Sequence, residues 1–302
     1  MPNWTDHQVA DATGRGKTVV VGATSIVGAA VVAELESMGQ SVSRVSRGLG
    51  VALDDAPALA EAFQGATAAF IMIPFDVVAP DLRQFEEMAI SSLITAIAAA
   101  ELHRVVLLSG LNAHLKMGTS LGAAIMEDKI DALKLAVVVH LRAGFFMENF
   151  VNGMGFQDQA QTGTFATPFR GDLPMPLIAA ADVGRYAARL LSATTLPAHR
   201  IIELHGGGHY TMEQATKILG AAVGRHLRYQ HVSLSDATDG MIASGMSASF
   251  ADALMETARS FNQGEVWALE PPMPGNTTPT TLETWAQSTT LTPTRSLIGD
   301  TL

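Results

Sequence analysis

Two hydrophobic patterns alternate along the first half of the chain. Short apolar runs rich in β-branched residues, which are typical of strands buried on both faces of a sheet, lie at residues 18–22, 41–46, 68–73, 104–109 and 136–142. Segments whose apolar residues recur with helical spacing lie between them, at residues 27–38, 57–64, 81–102 and 126–134. This alternation predicts an α/β fold in which helices cover both faces of a doubly wound parallel sheet.

The second half of the chain follows a less regular pattern. Residues 153–176 are rich in glycine, proline, threonine and glutamine, which predicts a loop. The pattern then predicts helices at 182–192, 211–223, 235–244, 248–261 and 282–288 and strands at 200–204 and 227–232. We therefore expect a flexible N-terminal segment at residues 1–16, a main domain at 17–150, and a smaller C-terminal α/β cap domain at 151–302 that shares the core.

Composition and charge narrow the classes of function. The chain has 302 residues, 48% of them hydrophobic and 16% charged, and its net charge is −10. An acidic chain has no overall field that draws it to nucleic acid or to an anionic membrane. The apolar stretch at residues 89–102 contains polar residues and is too short to span a bilayer, so it predicts a buried helix.

The absence of cysteine also excludes several kinds of chemistry. The chain contains no cysteine at all. A disulfide framework, a thiolate metal site and a thiol nucleophile are therefore ruled out. A chain without disulfides favours a cytoplasmic location.

A glycine-containing loop follows the first predicted strand. Residues 18–28 read TVVVGATSIVG, so that Gly22 follows the strand and Gly28 lies in the next helix. This is the pattern of a Rossmann dinucleotide-binding loop, except that Ser25 replaces the middle glycine. The Ser25 amide can still donate to a phosphate, and its hydroxyl can cap the helix or reach a phosphate oxygen. The loop predicts a bound nicotinamide dinucleotide, and the alternative is a purely structural turn.

The second predicted strand indicates which cofactor binds. NAD sites usually carry an acidic residue about 20 positions after the glycine loop, where it binds the ribose hydroxyls. No aspartate or glutamate lies between Gly39 and Leu53, and the strand reads SVSRVSRG instead. Arg44 and Arg47 suit a 2′-phosphate, and Ser46 can add a hydroxyl donor. We therefore expect NADP(H) in preference to NAD(H), the alternative being two solvated arginines.

Several segments together resemble a known family. GATSIVG, VSRVSRG, GATAAFIMIPF, VVLLSG and HLRAGFFMENF are similar to segments of the NmrA-like group of atypical short-chain dehydrogenases. The second half continues the likeness with ADVGRYAARLL and GGGHYTMEQATKILGAAVGRHLRYQHVSL. The resemblance covers about residues 17–265, and RAGFFMEN is its most specific piece.

The resemblance implies a site of two parts. The implied cofactor-binding residues are Gly22, Ala23, Thr24, Ser25, Ile26, Val27, Gly28, Arg44, Ser46, Arg47, Asp54, Ile73, Pro74, Phe75, Ser109 and Gly110. The implied substrate cleft contains Phe145, Phe146, Met147 and Asn149, although these aromatic residues equally suit a core. The segment 48–54 is shorter than is usual in the family, which puts its third strand and the adenine contact of Asp54 in question.

The chain lacks the usual acid–base pair of short-chain dehydrogenases, Tyr-x-x-x-Lys. None of its three tyrosines has a lysine four residues later. The resemblance places Lys129 near the cleft, where it can hold a ribose or act as a proton donor; the alternative is a solvated helix lysine. Reduction of a quinone needs orientation more than a dedicated acid, because its product anion is delocalised.

Two further motifs favour structural interpretations. The HGGG sequence that begins at His205 lacks the Gly-x-Ser-x-Gly elbow of an esterase. Three glycines separate His205 from His209, which predicts a tight turn rather than a metal-binding helix face. We thus expect an NADPH-dependent oxidoreductase that reduces a small apolar acceptor such as a quinone. The rival is a non-catalytic NADP(H) sensor that acts on a protein partner, and a homo-oligomer is compatible with both.

Overall fold

The computed structural model describes residues 16–100, 102–194, 196, 199–289 and 291. The expected flexible segment at 1–16 therefore lies, except for Gly16, outside the described residues. In the described part of the chain the strands are β1 (Lys17–Val21), β2 (Val42–Val45), β3 (Ala66–Ile71), β4 (Arg104–Gly110), β5 (Val137–Ala143), β6 (Phe145–Phe146), β7 (Thr164–Thr167), β8 (Pro174–Met175), β9 (Leu177–Ile178), β10 (His199–Leu204), β11 (Tyr210–Thr211) and β12 (Arg228–His231).

The helices connect these strands and, after residue 211, form much of the C-terminal region. Over the same described residues they are α1 (Ile26–Ser37), α2 (Ala56–Phe63), α3 (Leu82–Ala99), α4 (Leu121–Ala132), α5 (Asn149–Asn152), α6 (Phe156–Gln161), α7 (Ala180–Ser192), α8 (Met212–Ala222), α9 (Leu234–Ala243), α10 (Ala248–Asn262) and α11 (Leu282–Ser288). No helix in this part of the chain combines the length and apolar character that crossing a membrane requires.

A central sheet of six strands organises the fold. Its order is β10-β5-β4-β3-β1-β2, and every neighbouring pair is parallel. The chain proceeds from β1 to β2 on one side and then returns to place β3 on the other side of β1. This reversal is the switch point at which open α/β sheets bind their ligands. The predicted doubly wound parallel sheet is confirmed.

Both faces of the sheet are buried, which explains the continuous apolar runs of its strands. One face packs against α1 and α7, and the other against α2, α3 and α4. Val19 and Val20 show the alternation, since each is 0% exposed and they lie in the cores on opposite faces. Apolar side chains at both positions therefore face covered surfaces of the sheet.

The boundary expected at residue 150 does not separate the two regions cleanly. Strand β10 pairs with β5 at one end of the central sheet, and α7 packs along α1. After residue 177 the chain thus returns to the central sheet and to the helices that cover it, and it leaves them again after β10. This return is consistent with the expected shared core, and the division into 17–150 and 151–302 stays a prediction.

The family's third strand is absent from this sheet. Residues 48–54 form a short 3₁₀ turn and irregular structure, and β2 is the terminal strand on its side. Arg47 begins that turn, and Gly50 closes it with a φ of +84°. The short segment noted in the sequence therefore contributes no strand beside β2.

Two sequence predictions were wrong in extent. The expected loop at 153–176 contains α6, β7 and β8, because β7 pairs with β12 from more than 60 residues later in the chain. The helix expected at 126–134 begins at Leu121, because Gly122 packs against the buried side chain of Glu86 instead of ending the helix.

The C-terminal region has a core of its own, to which Phe145 and Met147 of RAGFFMEN contribute. Phe150, Phe165 and Phe169 are almost fully buried there together with residues of α8 and α11. Glu148 accepts hydrogen bonds from the Ala180 amide at 3.0 Å and from the Trp285 indole at 3.1 Å. Burial raises the pKa of Glu148. The glutamate of this motif therefore joins the start of α7 to the C-terminal helix α11.

Candidate functional site

The glycine loop lies at the carboxyl end of β1, at the switch point. Gly22 has a φ of +74°, a conformation that residues with side chains rarely adopt. A Cβ atom added at Gly28 would lie 2.0 Å from the carbonyl oxygen of Gly22. The two glycines therefore let the first turn of α1 lie against the end of β1, as dinucleotide binding requires.

Ser25, in place of the middle glycine, is the N-cap residue of α1. Its φ is −68°, and its hydroxyl accepts a hydrogen bond from the Gly28 amide at 3.0 Å. Its own amide donates to the carbonyl of Gly22 at 2.9 Å. The capping role expected from the sequence is thus present, whereas the amide expected to face a phosphate is used inside the turn.

Two other amides at the start of α1 are available to an anion. Those of Ile26 and Val27 precede the first hydrogen bond within the helix and donate to no other group among the described residues. Such amides bind phosphate because their N–H groups and the helix dipole both favour negative charge. At the start of the helix that follows the glycine loop, they fit the diphosphate of a dinucleotide.

The end of β2 carries the groups that face the adenosine side of the switch point. The hydroxyls of Ser46 and Thr24 lie 2.7 Å apart and join β2 to the glycine loop. Arg47 is exposed, and its guanidinium lies 3.9 Å from the carboxylate of Asp76, which follows β3. Asp76 was not singled out in the sequence. Arg47 and Asp76 thus approach each other from the two strands that flank β1.

Arg44 has a different partner from the one expected. Its guanidinium bonds the carboxylate of Glu36 at 2.6 Å. Glu36 lies in the last turn of α1, about 15 Å along the helix from Ile26. Arg44 is therefore engaged at the end of α1 that is remote from the diphosphate site.

The expected adenine contact, Asp54, lies in an exposed turn. The next residue, Asp55, caps α2 by accepting a hydrogen bond from the Ala58 amide at 3.0 Å. Because no strand forms at 48–54, Asp54 is not held beside β2. Its role at the adenine stays a prediction.

The segment after β3 divides into buried and exposed residues. Ile73 is only 9% exposed and belongs to the core beneath α3, whereas Pro74 is half-buried. Phe75 is 47% exposed, and its ring lies 5.9 Å from that of Phe250 in α10. Of the three predicted contacts, Phe75 therefore offers the most surface to a ligand.

The end of β4 lies next to a buried ion pair. Ser109 is paired in register with Arg142 of β5. The Arg142 guanidinium donates two hydrogen bonds to the Glu127 carboxylate of α4, at 3.0 and 2.7 Å. Burial raises the pKa of Glu127, but the hydrogen bonds and the positive charge of Arg142 lower it more, so that the pKa lies below its usual range. Glu127 is thus an ionised structural partner and not a proton donor.

Gly110, the last residue of β4, lies beneath two polar side chains. A Cβ atom at Gly110 would lie 2.5 Å from the Ser120 hydroxyl and 3.0 Å from the Asn112 carboxamide oxygen. Together with Ser109, these residues form the polar part of the carboxyl edge of the sheet, which is the edge at which its strands end.

A family model described as NmrA-like matches residues 9–286. The chain belongs to the NmrA-like family. It is 28% identical over 217 residues to an NAD(P)H azoreductase from Xenophilus azovorans, which covers 71% of this chain and 68% of that protein. This sequence likeness is spread over most of both chains.

Solved structures share the NmrA-like fold. An NADPH-dependent quinone oxidoreductase from Escherichia coli, complexed with NADPH, has a TM-score of 0.71 at 20% identity over 89% of this chain and 98% of that chain. NmrA itself, a negative transcriptional regulator in complex with NADP, has a TM-score of 0.64 at 18% identity over 90% of each chain. At these identities the likeness extends to the fold.

The position of Lys129 in this NmrA-like chain differs from the expected one. Helix α4 leaves the carboxyl edge and returns toward the start of β5, since Glu127 pairs with Arg142 whereas Asp131 pairs with His140 earlier on that strand. Lys129 projects from the exposed side of α4. This exposure agrees with the alternative of a solvated helix lysine, and the catalytic role of Lys129 stays a prediction.

The expected substrate residues are mostly packed in the core. Met147 is 0% exposed, so it cannot line an open cleft. Phe145 packs edge to face on Phe169 and Phe261, with ring centroids 5.5 and 6.0 Å away. Phe146 is half-buried against the core next to α1 and α7. Asn149 is half-buried at the start of α5.

The three tyrosines do not replace the missing acid–base pair. Tyr186 and Tyr229 donate to the carbonyls of Gly275 and Phe169, and burial raises the pKa of Tyr229 to about 12. The Tyr210 hydroxyl donates to Glu283 at 2.8 Å. No tyrosine therefore lies at the end of β4.

The HGGGH segment is structural, as the sequence predicted. A Cβ atom at Gly206 would lie 1.9 Å from the Leu177 carbonyl oxygen, and one at Gly207 would lie 2.8 Å from that of Thr280. Burial lowers the pKa of His205, whose ring lies 3.0 Å from the Glu270 carbonyl. The described residues contain no group of three or more side chains that could hold a metal ion.

Proposed function

We propose that this chain is an NAD(P)H-dependent oxidoreductase that prefers NADPH and reduces a small apolar acceptor such as a quinone. The observation that carries the proposal is the pair of unused amides, those of Ile26 and Val27, at the start of α1 at the switch point, with Arg47 on the neighbouring strand end. The azoreductase relative and the quinone oxidoreductase with the same fold support the reaction class.

Different residues at the switch point would bind different parts of NADPH, which supplies the hydride. The amides of Ile26 and Val27 would hold the diphosphate, and Ser25 fixes them by capping α1. Arg47 would pair with the 2′-phosphate, for which its planar guanidinium is suited. The carboxylate of Asp76 lies 3.9 Å from that guanidinium.

The acceptor is proposed to be apolar because large hydrophobic side chains are exposed around the carboxyl edge. Ile26, Phe75, Val78 and Ile242 are each between 44% and 49% exposed. The loop that carries Phe75 and Val78 is tied to the start of α10 by a backbone hydrogen bond of 2.9 Å. A flat apolar molecule bound there would cover surface that otherwise contacts water.

The absence of a tyrosine acid at the end of β4 favours acceptors whose reduced form needs no dedicated proton donor. A quinone that receives a hydride becomes a delocalised anion, which water can protonate. The enzyme's contribution is then to hold acceptor and nicotinamide in contact, which by itself lowers the barrier substantially.

Arg47→Ala is expected to weaken NADPH binding by roughly ten- to a hundredfold and to leave NADH binding nearly unchanged, because a charge-assisted contact to phosphate contributes about 1.5–3 kcal/mol. Fluorescence titration of both cofactors measures the two dissociation constants. Arg44→Ala is the matched control, since Arg44 pairs with Glu36 on α1. An equal loss of both cofactors in Arg47→Ala would contradict the cofactor assignment.

The second candidate function is a non-catalytic NADP(H) sensor that acts through a protein partner. It is favoured by the fold shared with the transcriptional regulator and by the tyrosines being engaged elsewhere. Steady oxidation of NADPH with a panel of benzoquinones and naphthoquinones is the expected result for the enzyme. Lys129→Ala should retain that activity. Tight binding of NADP with no turnover of any acceptor would instead support the sensor.

A further inference from the structure

The Asn112 side chain is buried with half of its hydrogen-bonding capacity unused. The residue is 5% exposed and follows β4 by two positions. Its carboxamide oxygen accepts a hydrogen bond from the Ser120 hydroxyl. Its carboxamide nitrogen, which has two hydrogens to donate, meets no acceptor among the described residues. Buried polar atoms are nearly always paired, so this nitrogen points to a group that binds from outside the chain.

The place of Asn112 in the sheet identifies which part of the bound molecules lies beside it. The diphosphate site is at the end of β1, and β4 is two strands away, beyond β3. At about 4.8 Å between strands, that distance is roughly 10 Å. It lies on the side opposite to β2 and Arg47, and therefore on the side of the nicotinamide. Asn112 is thus placed at the end of the site where hydride transfer and acceptor binding occur.

We propose that the Asn112 carboxamide nitrogen donates a hydrogen bond to the oxygen of the acceptor that is being reduced. This inference rests on the proposed function. Quinone and NADPH give hydroquinone and NADP⁺; the hydride brings two electrons and one proton, and water supplies the second proton. As the hydride arrives, the electron pair of the quinone carbonyl moves onto its oxygen. A donor fixed in advance stabilises the charge that develops there.

Ser120 acts as a positioning residue for this donor. By donating to the Asn112 oxygen, it holds that end of the carboxamide in place. Gly110 makes room for the pair, because a Cβ atom there would overlap the Ser120 hydroxyl. An acceptor that fits this donor must have an atom with a lone pair, and that atom must be conjugated to the atom that receives the hydride.

The test replaces the donor while retaining the shape of the side chain. Asn112→Asp retains an oxygen for Ser120 and removes the N–H groups, and Asn112→Leu removes both. Both variants are expected to lower kcat for a quinone by on the order of 100-fold. The dissociation constant of NADPH, measured by fluorescence, should change less than threefold. Quinone binding to the NADP⁺-loaded protein, measured by calorimetry, should also weaken.

Matched controls separate this role from a structural one. Asn276 is 4% exposed, and both ends of its carboxamide bond the chain. Asn276→Asp makes the same chemical change and is expected to affect thermal stability but not kcat. Ser120→Ala should lower kcat in the wild-type background and cause no further loss in Asn112→Asp.

The outcomes distinguish this inference from the proposed function. Unchanged quinone kinetics in both Asn112 variants, with an active wild-type enzyme, would overturn the inference alone. Weakened NADPH binding with unchanged affinity for the quinone would also overturn it, since Asn112 would then bind the cofactor. A wild-type protein that binds NADPH but turns over no acceptor would overturn the proposed function. In that case, comparing the quinone affinity of the wild type with that of the Asn112 variants would still test whether Asn112 binds the acceptor.

Discussion

Replacing Gly28 with alanine is expected to weaken NADPH binding by about ten- to a hundredfold and to destabilise the protein. The new Cβ atom would lie 2.0 Å from the Gly22 carbonyl oxygen and 3.0 Å from the Ala23 Cα atom. Both are backbone atoms, so the loop itself must shift, at a typical cost of about 1–3 kcal/mol. The shift moves the helix amides of Ile26 and Val27, each of which contributes about 1.5–3 kcal/mol to binding a charged group.

The measurement compares Gly28→Ala with Gly240→Ala. Gly240 lies in helix α9, and a Cβ atom there would meet nothing within 4 Å. That control should bind NADPH normally and be slightly more stable, by up to about 1 kcal/mol, because alanine favours the helix. Fluorescence titration and thermal unfolding of both variants provide the data. Normal NADPH binding by Gly28→Ala would show that the diphosphate lies elsewhere.

The central sheet could be predicted because local sequence determines it. The runs around Val19 and Val20, and around Phe70 and Ile71, are apolar at every position since both faces of the sheet are covered. The glycine loop was equally readable, because close packing between β1 and α1 excludes any side chain at Gly28.

The C-terminal region was harder to predict because its pairing is not local. Strand β7 pairs with β12, and Phe165 is 0% exposed only because α5, α6 and Tyr229 come together around it. The glycines and threonines of residues 153–176 indicate turns correctly. They cannot indicate that a strand between the turns has a distant partner.

Helical spacing identifies the buried face of α4 but not the surroundings of each charged residue at the site. Met126 and Ile130 are spaced by four residues and place one face of α4 on the sheet. Lys129 precedes Ile130 by one residue, about 100° around the helix, and the structure leaves it exposed beside that face. The difference between Arg44 and Arg47 could not be read in this way, because it depends on the position of Glu36 relative to β2.

The polar groups that sequence reasoning missed are defined by tertiary contacts. Asn112 is notable only because Ser120 takes one end of its carboxamide and nothing in the described chain takes the other. Glu127 lies 15 positions before Arg142, and no local pattern joins them. The arginine in HLRAGFFMEN was the available signal, since a charged residue within a buried strand requires a partner.

Glu127→Ala is expected to lower the free energy of unfolding by about 3–5 kcal/mol, the largest change in stability predicted for this chain, because it leaves the Arg142 guanidinium buried without its partner. Both side chains of the pair are only 9% exposed. Urea denaturation at neutral pH measures the loss. The double variant Glu127→Ala/Arg142→Met should recover most of it, since an apolar replacement of both partners removes the buried charge. A loss in the double variant equal to that in the single variant would contradict this account.

The pair of Glu127 and Arg142 should also make the free energy of unfolding depend on pH. Because the pKa of Glu127 is below its usual range in the folded protein, protons bind more readily to the unfolded chain. The contribution of the pair is therefore complete above the ordinary pKa of glutamate and is lost as the pH falls through the lower folded value. We expect the wild type to lose more free energy of unfolding between pH 7 and pH 3 than the double variant does.

A variant of the exposed pair Arg170 and Asp172, Asp172→Asn, is the control for acid sensitivity at the surface and should behave more like the wild type. Equal acid sensitivity in the wild type and the Glu127→Ala/Arg142→Met protein would mean that the buried pair is not what acid disrupts.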